Sequence, residues 1–457
     1  METTIASIWH ILKQSRDERK LLPLAVRKRA LQQLQRGLDE HQEDIMAALV
    51  HDLGRPRFES YISEIALIKT EIKTALNSLA RWSAKKKVHT SLPFQPGSSW
   101  IIPTPKGLVL IIAPWNYPFQ LSLIPLVSAI AAGNCAIIKP SELAPHSSAV
   151  IANIVKKFLD PDCFSVLEGD HLVCDSLLDE PFDHIFFTGS THIGRHVMEK
   201  AALNLTPVTL ELGGKSPAIM DESSLNEVSI KRLLWGKFIN AGQTCIAPDY
   251  VLIKKSLIND FVQQAKKQLF TMFGSEPHQS SSFARIINER HLLRLMQYLK
   301  QGVIVHGGSS DQKGLFLEPT LMTDVALDEA VMQEEIFGPI LPIVGVNSIH
   351  EAIGFINDRP WPLSLYIFSS SNKNIDKVLH ETNSGSVGIN DCVSQAGLES
   401  LPFGGVGQSG FGNYHGHHGF LTFSHMRAVY QRSLHLDNPV RYPPYSHHKL
   451  NMAKLIL

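Results

Sequence analysis

The sequence of 457 residues predicts an α/β protein of two parallel-sheet units, and three observations carry that prediction. From residue 107 to 210, short apolar runs alternate with helical stretches. After Gly213-Gly214 the alternation resumes and continues to about Val387. At this length, 44% apolar residues suffice for the cores of two or three domains. Basic and acidic residues number 43 each, so no global field exists to hold a polyanion, and a dedicated nucleic-acid binder is disfavoured.

The elements follow in chain order. Residues 24–50 place Leu24, Leu31, Leu34, Leu38, Ile45 and Leu49 near one helical face, and Gly54 closes the segment. A second helical pattern runs over 61–82, with Lys85-Lys86-Lys87 as its solvated end. Residues 90–106, rich in Pro, Gly and Ser around Trp100-Ile101-Ile102, predict a hairpin excursion. Strands are expected at 108–112, 135–138, 164–167, 184–187 and 208–210, with helices at 121–131, 147–158 and 194–202. This alternation implies right-handed crossovers and a parallel sheet covered on both faces, with ligands beyond the carboxyl ends of its strands. The second unit has strands expected at 250–254, 303–306, 341–345 and 365–368.

Five cysteines, Cys135, Cys163, Cys174, Cys245 and Cys392, are odd in number and lack CxxC pairing. A disulfide framework and structural zinc are disfavoured, and a reducing, cytoplasmic setting is expected. The first twenty residues reach charge too soon for a secretory leader. Residues 121–138 (LSLIPLVSAIAAGNCAII) are as long as a membrane span, but Pro125 interrupts them and Gly133-Asn134 forms a turn signal. They read as a buried helix and a core strand. The final LIL is too short for a tail anchor.

Three side chains stand out chemically. Cys245 follows polar, turn-capable Asn240, Gly242, Gln243 and Thr244. That setting presents a thiol at a loop or helix start, where backbone N–H groups favour thiolate, although a lone cysteine is by default a small buried hydrophobe. Glu211 lies between Leu210 and Leu212 at a strand end, where burying an unpaired carboxylate is costly and raises its pKa, as suits a general base. An ion pair with Lys215 is the structural alternative. Asn116, in PWNYPF after the first strand, is a turn residue or an amide donor to an oxyanion. His415, His417 and His418 have no Cys or Asp near them and read as an entrance loop rather than a metal site; no metal is expected.

The blocks PWNYPF, IKPSE, FFTGSTHIG, ELGGKSP, GQTC and EEIFGP, in this order and spacing, resemble the NAD(P)-dependent aldehyde dehydrogenase superfamily, nearest its class 3 or fatty aldehyde branch. The resemblance covers about residues 5–445. It implies two Rossmann-type parallel-sheet α/β domains plus a small strand-exchange oligomerisation element. The NAD(P)-binding domain would take 1–88 and 107–209, the catalytic domain 210–404, and the oligomerisation hairpin and C-terminal segment 89–106 and 405–457. Cys245 would be the nucleophile, Glu211 the base and Asn116 an oxyanion donor beside the Cys245 N–H. Lys139 and Glu142 match positions that hold the adenosine ribose, Glu335 and Phe337 those that orient the nicotinamide ribose and ring. Gly189, Ser190 and Gly194 would form the phosphate-proximal turn, which lacks the middle glycine of GxGxxG.

The implied reaction oxidises a medium- or long-chain aliphatic or aromatic aldehyde to the acid. A thiohemiacetal forms on Cys245, hydride leaves to NAD or NADP, and water drawn by Glu211 hydrolyses the thioester. A homodimer is the class 3 expectation. The competing readings are a CoA-acylating dehydrogenase, against which Glu211 argues, and a non-catalytic protein retaining the fold, against which the retained Cys245 and Glu211 argue. A cysteine hydrolase is disfavoured because no histidine adjoins the Cys245 motif.

Overall fold

The computed structural model describes residues 4–456. In the N-terminal third, apolar spacing decides what is buried: Leu31, Leu34, Leu38, Ile45 and Leu49 are fully enclosed. They sit on two helices rather than one, Leu24–Glu40 and Gln42–Leu53, which meet at His41, and Leu24 faces solvent. Gly54, at φ 55°, closes the second helix, with its N–H on the Val50 carbonyl and the Arg55 N–H returning to that of Leu49 at 3.3 Å. This left-handed close is one glycine makes without strain. Helix Ala66–Trp82 is preceded by a wide π-turn, Tyr61–Ile65, which carries Glu64 into the interior.

The lysine run after Trp82 is not a helix end. Lys86–Val88 forms β1, antiparallel to β2 (Gly97–Pro105), and its exposed lysines cover a sheet edge that would otherwise invite pairing. The first sheet then forms from β3 (Leu108–Ile112), β4 (Cys135–Lys139), β5 (Phe164–Val166), β6 (His184–Thr188) and β7 (Val208–Glu211), all mutually parallel. Helix Pro118–Ala132 buries every residue but Gln120, and Pro125 lies within it instead of ending it; Gly133 at φ 92° does that.

The second sheet is built from β8 (Pro217–Met220), β9 (Tyr250–Lys254) and β10 (Val303–His306) and, past a hairpin of β11 (Ser310–Asp311) and β12 (Phe316–Leu317), from β13 (Thr320–Thr323), β14 (Ile340–Val346), β15 (Ser364–Phe368) and β16 (Ser386–Ile389). Its order is β10-β13-β14-β9-β8-β15-β16, parallel except for β10. β8, β13 and β16, of four residues each, are not among the expected strands.

Residues 405–457, expected to join the hairpin as one segment, divide. β17 (Gly410–Phe411) adds an antiparallel edge to β7, and the helix Gly416–Thr422 packs on Ala66–Trp82 and Pro118–Ala132. The cause is local: a β-carbon at Gly410 would lie 1.9 Å from the Leu210 carbonyl, so glycine permits the close approach. β18 (Ser424–Arg432) pairs with β2 along nine residues. The large apolar residues form two clusters, one around each sheet. Among the described residues no helix is long and apolar enough to cross a membrane.

Candidate active site

A cavity of about 380 Å³ lies where the carboxyl ends of the first sheet meet the amino ends of the second. Asn116 follows β3, Gly189 follows β6 and Glu211 ends β7, whereas Gly213, Cys245, Glu335 and Leu363 each come shortly before β8, β9, β14 and β15. The carboxyl-end expectation therefore describes the first sheet only.

Cys245 lies in a turn after helix Glu227–Phe238 and the 3-10 turn Ile239–Gly242, in which Asn240 and Ala241 both have φ 52°. A β-carbon at Gly242, φ 75°, would meet the Gly338 carbonyl at 2.3 Å, so glycine is required there too. The N–H groups of Cys245 and Ile246 face the thiol, as the sequence suggested, but they do not prevail. Burial, then the carboxyls of Glu335 and Glu211, push the thiol well above the usual cysteine range. This shift opposes the thiolate that the motif favours.

Glu211 is 2% exposed and neither carboxyl oxygen has a protein hydrogen-bond partner. Burial alone raises its pKa well above the carboxylate range. The alternative ion pair does not form: Lys215 donates to Asp249 at 2.7 Å and to the carbonyls of Val331 and Glu334 at 2.8 Å. Asn116 is buried, and its Nδ2 donates to the Gln243 carbonyl at 3.0 Å, one of its two N–H bonds.

Lys139 ends β4, is buried, and donates to the half-exposed Glu142 at 2.7 Å. Gly189 lines the cavity, and a β-carbon there would strike the Phe187 ring at 2.5 Å. Ser190 caps helix Thr191–Leu203 through the Ile193 N–H. Gly194 does not line the cavity; a β-carbon there would meet Leu212 at 2.6 Å, so its smallness serves helix–strand packing. Glu335 accepts from the Gly214 N–H, leaves Oε1 unpartnered and is pushed up to about 8, first by burial and then by Asp249. Phe337, at φ 49°, meets Trp115 edge to face at 5.3 Å.

The three histidines diverge. His415 lines the cavity, stacks on Phe403 at 5.4 Å and is lowered to about 4 by burial, while His417 packs against Trp82. Among the described residues no His/Cys/Asp/Glu grouping could hold a metal ion. Sequence reasoning assigned no role to Tyr414, which lies in the glycine-rich ending and is buried in the cavity wall, or to Arg55, which lies in no motif and is buried behind it. Arg55 reaches the site only through the fold.

A strand-end carboxylate without a counter-ion, a half-buried cysteine and an amide donor stand around one cavity beside a doubly covered parallel sheet, in the setting of an α/β oxidoreductase. The chain belongs to the aldehyde dehydrogenase family: the model of that family matches residues 4–429. It is 45% identical over 448 residues to aldehyde dehydrogenase family 3 member A2 of Mus musculus, covering 98% of this chain and 93% of that protein. To the mouse aldehyde dehydrogenase described as dimeric and NADP-preferring it is 43% identical, covering 97% and 98%. The solved substrate-bound state of Staphylococcus aureus AldH superposes with a TM-score of 0.97 at 42% identity, over 99% of both chains.

Proposed function

We propose that this aldehyde dehydrogenase converts a neutral, apolar or aromatic aldehyde to its carboxylic acid by covalent catalysis on Cys245. The observation that carries this reading is Glu211, a buried carboxyl without an ion-pair partner that shares the cavity with the thiol. The Cys245 thiol releases its proton to water as its sulfur adds to the aldehyde carbon, and the free N–H of Asn116 with the Cys245 N–H receives the oxyanion. After the oxidation, Glu211 takes a proton from water, whose oxygen attacks the thioester carbon and releases the acid.

The residues present fit a nicotinamide dinucleotide. Gly189 and the capped helix start at Ser190 open onto the same cavity, and Glu335 leaves a buried oxygen unpartnered beside it. Lys139 and Glu142 would hold the adenosine ribose, Glu335 and Phe337 the nicotinamide end. The bound dinucleotide supplies the hydride acceptor. NAD is the preferred form in this reading, with NADP a second cofactor, because the Glu142 carboxylate accepts from ribose hydroxyls and repels a 2′-phosphate.

Trp115, Tyr117, Leu121, Trp235, Ile239 and Phe403 supply apolar wall, and no described lining residue is lysine or arginine, which supports an uncharged substrate. The β1-β2-β18 sheet, with Met426 and Tyr430 exposed, supports self-association as a dimer. Five free thiols support a reducing cytoplasm. NADH and NADPH formation measured across short aliphatic, long aliphatic, aromatic and carboxylate-bearing aldehydes tests the reading; efficient oxidation of only the carboxylate-bearing set would defeat it.

A further inference from the structure

Arg55 is completely buried, and its guanidinium reaches both halves of the site. Nη1 donates to Glu64 at 2.6 Å, Nε to Oδ1 of Asn240 at 3.1 Å, and Nη2 to the carbonyl of Asn116. Its carbon lies 4.6 Å over the Tyr117 ring, and the Tyr117 hydroxyl pairs with Thr244 Oγ1 at 2.8 Å. Asn240 completes the lattice: Nδ2 donates to the Asn116 carbonyl at 2.9 Å and to the Gln243 carbonyl at 3.2 Å, while its N–H donates to Glu59 at 2.8 Å.

The Asn116 carbonyl thus receives two donors, and the Gln243 carbonyl receives the side chains of both Asn116 and Asn240. One segment follows a strand of the first sheet and the other precedes a strand of the second. Asn240 and Ala241 hold left-handed backbone in the second segment, and the arginine holds the Asn240 side chain. We infer that Arg55 is a positioning residue that locks the Asn116 loop and the Gln243-Thr244-Cys245 loop into one frame, fixing the oxyanion donors relative to the sulfur. The inference rests on the catalytic roles proposed above for Cys245 and Asn116.

A planar fork with several fixed donors makes these contacts at once; an ammonium does not. Arg55 touches neither cavity nor thiol, so its loss should slow the reaction of bound aldehyde without altering the intrinsic reactivity of the cysteine. Full-length wild type, Arg55→Lys and Arg55→Gln would be compared with benzaldehyde and NAD by rapid mixing, and their Cys245 alkylation by iodoacetamide followed by intact mass. Both variants should lower the rate constant of the NADH burst by roughly 10²-fold, the scale of a small misplacement of catalytic groups. The alkylation rate, aldehyde KM and NAD affinity should stay at wild-type values.

A wild-type burst in either variant overturns the inference, as does a burst that falls in step with alkylation. If the arginine variants do not accumulate folded, Glu64→Gln, which keeps the side-chain shape but removes the charge gripping the guanidinium, carries the test with the same pattern expected and the same reversals. The underlying reading fails separately: wild type that turns over normally after Cys245 is alkylated removes the cysteine whatever Arg55 does.

Discussion

The carboxyl group of Glu335 lies directly against the α-carbon of Gly213: a β-carbon there would stand 2.0 Å from Oε2. The loop before β14 therefore rests on the turn between β7 and β8, and no larger residue fits at 213 without moving the glutamate. Gly213→Ala should leave the protein folded and raise the KM for NAD by roughly tenfold, the factor that about 1.4 kcal/mol of lost contact represents, with aldehyde KM little changed. Steady-state kinetics varying each substrate checks this.

Cys245→Ser and Glu211→Gln should separate the two halves of the reaction. The serine variant should lose nearly all oxidation while still binding NAD, because a hydroxyl without an activating base is a far weaker nucleophile. The glutamine variant should slow deacylation by roughly 10² to 10⁴-fold, the range of general-base catalysis. Rapid mixing should then give one NADH equivalent per site, followed by a slow phase with an acyl adduct on Cys245. Wild-type turnover in Glu211→Gln would remove Glu211 from the mechanism.

The pH profile carries the signature of burial. Glu211 is a base only when ionised, and burial raises its pKa well above the ordinary carboxylate range. The rate constant for deacylation should therefore climb with pH beyond neutrality. In Glu211→Gln that limb should vanish, which single-turnover measurements across pH would reveal.

Glu71 offers a stability test. Its Oε1 accepts the Gly416 N–H at 2.6 Å, and burial raises its pKa from 4.5 to about 7. The folded state thus holds the proton more tightly than the unfolded chain, so the stability it confers is present below the unfolded value and is lost as pH rises towards 7. Glu71→Gln keeps the acceptor and removes that loss. Its stability relative to wild type should improve by about 3 kcal/mol, at roughly 1.4 kcal/mol per pKa unit, between pH 4.5 and 7. Denaturant titrations at the two ends of that window would measure it.

Glu142→Gln should shift cofactor choice. Removing the carboxylate beside Lys139 should raise kcat/KM with NADP relative to NAD by roughly fivefold, the scale of a charge repulsion near 1 kcal/mol at a solvated site. An unchanged ratio would show that Glu142 does not meet the 2′ position.

Much of this architecture is legible in the sequence because it depends on local pattern. The strands at 108–112, 250–254 and 303–306 coincide with β3, β9 and β10, since unbroken apolar runs between turn signals leave few other choices. Glu211 could be picked out because it breaks the apolar pattern of a strand end, Cys245 because polar, turn-capable residues precede it, and Asn116 because it sits in the turn after a strand. Arg55 could not: its partner Asn240 is 185 residues away, and nothing next to it in the chain distinguishes it from a surface arginine after a helix. Lys85-Lys86-Lys87 misled for the same reason, because a run of lysines does not say whether a neighbouring strand will claim its backbone. The direction in which the thiol shifts was out of reach too, since it comes first from burial by the fold and then from the Glu335 carboxyl, 90 residues further on.

β17 has a consequence for the life of the chain on the ribosome. Gly410 pairs opposite Glu211, and Tyr414 and His415 finish the cavity wall. Synthesis proceeds from the amino end, and domains fold as they emerge. A nascent chain therefore exposes its cysteine and its carboxylate well before it owns the chamber in which they meet. The last wall of the chamber is therefore laid down only after both of the groups that face it.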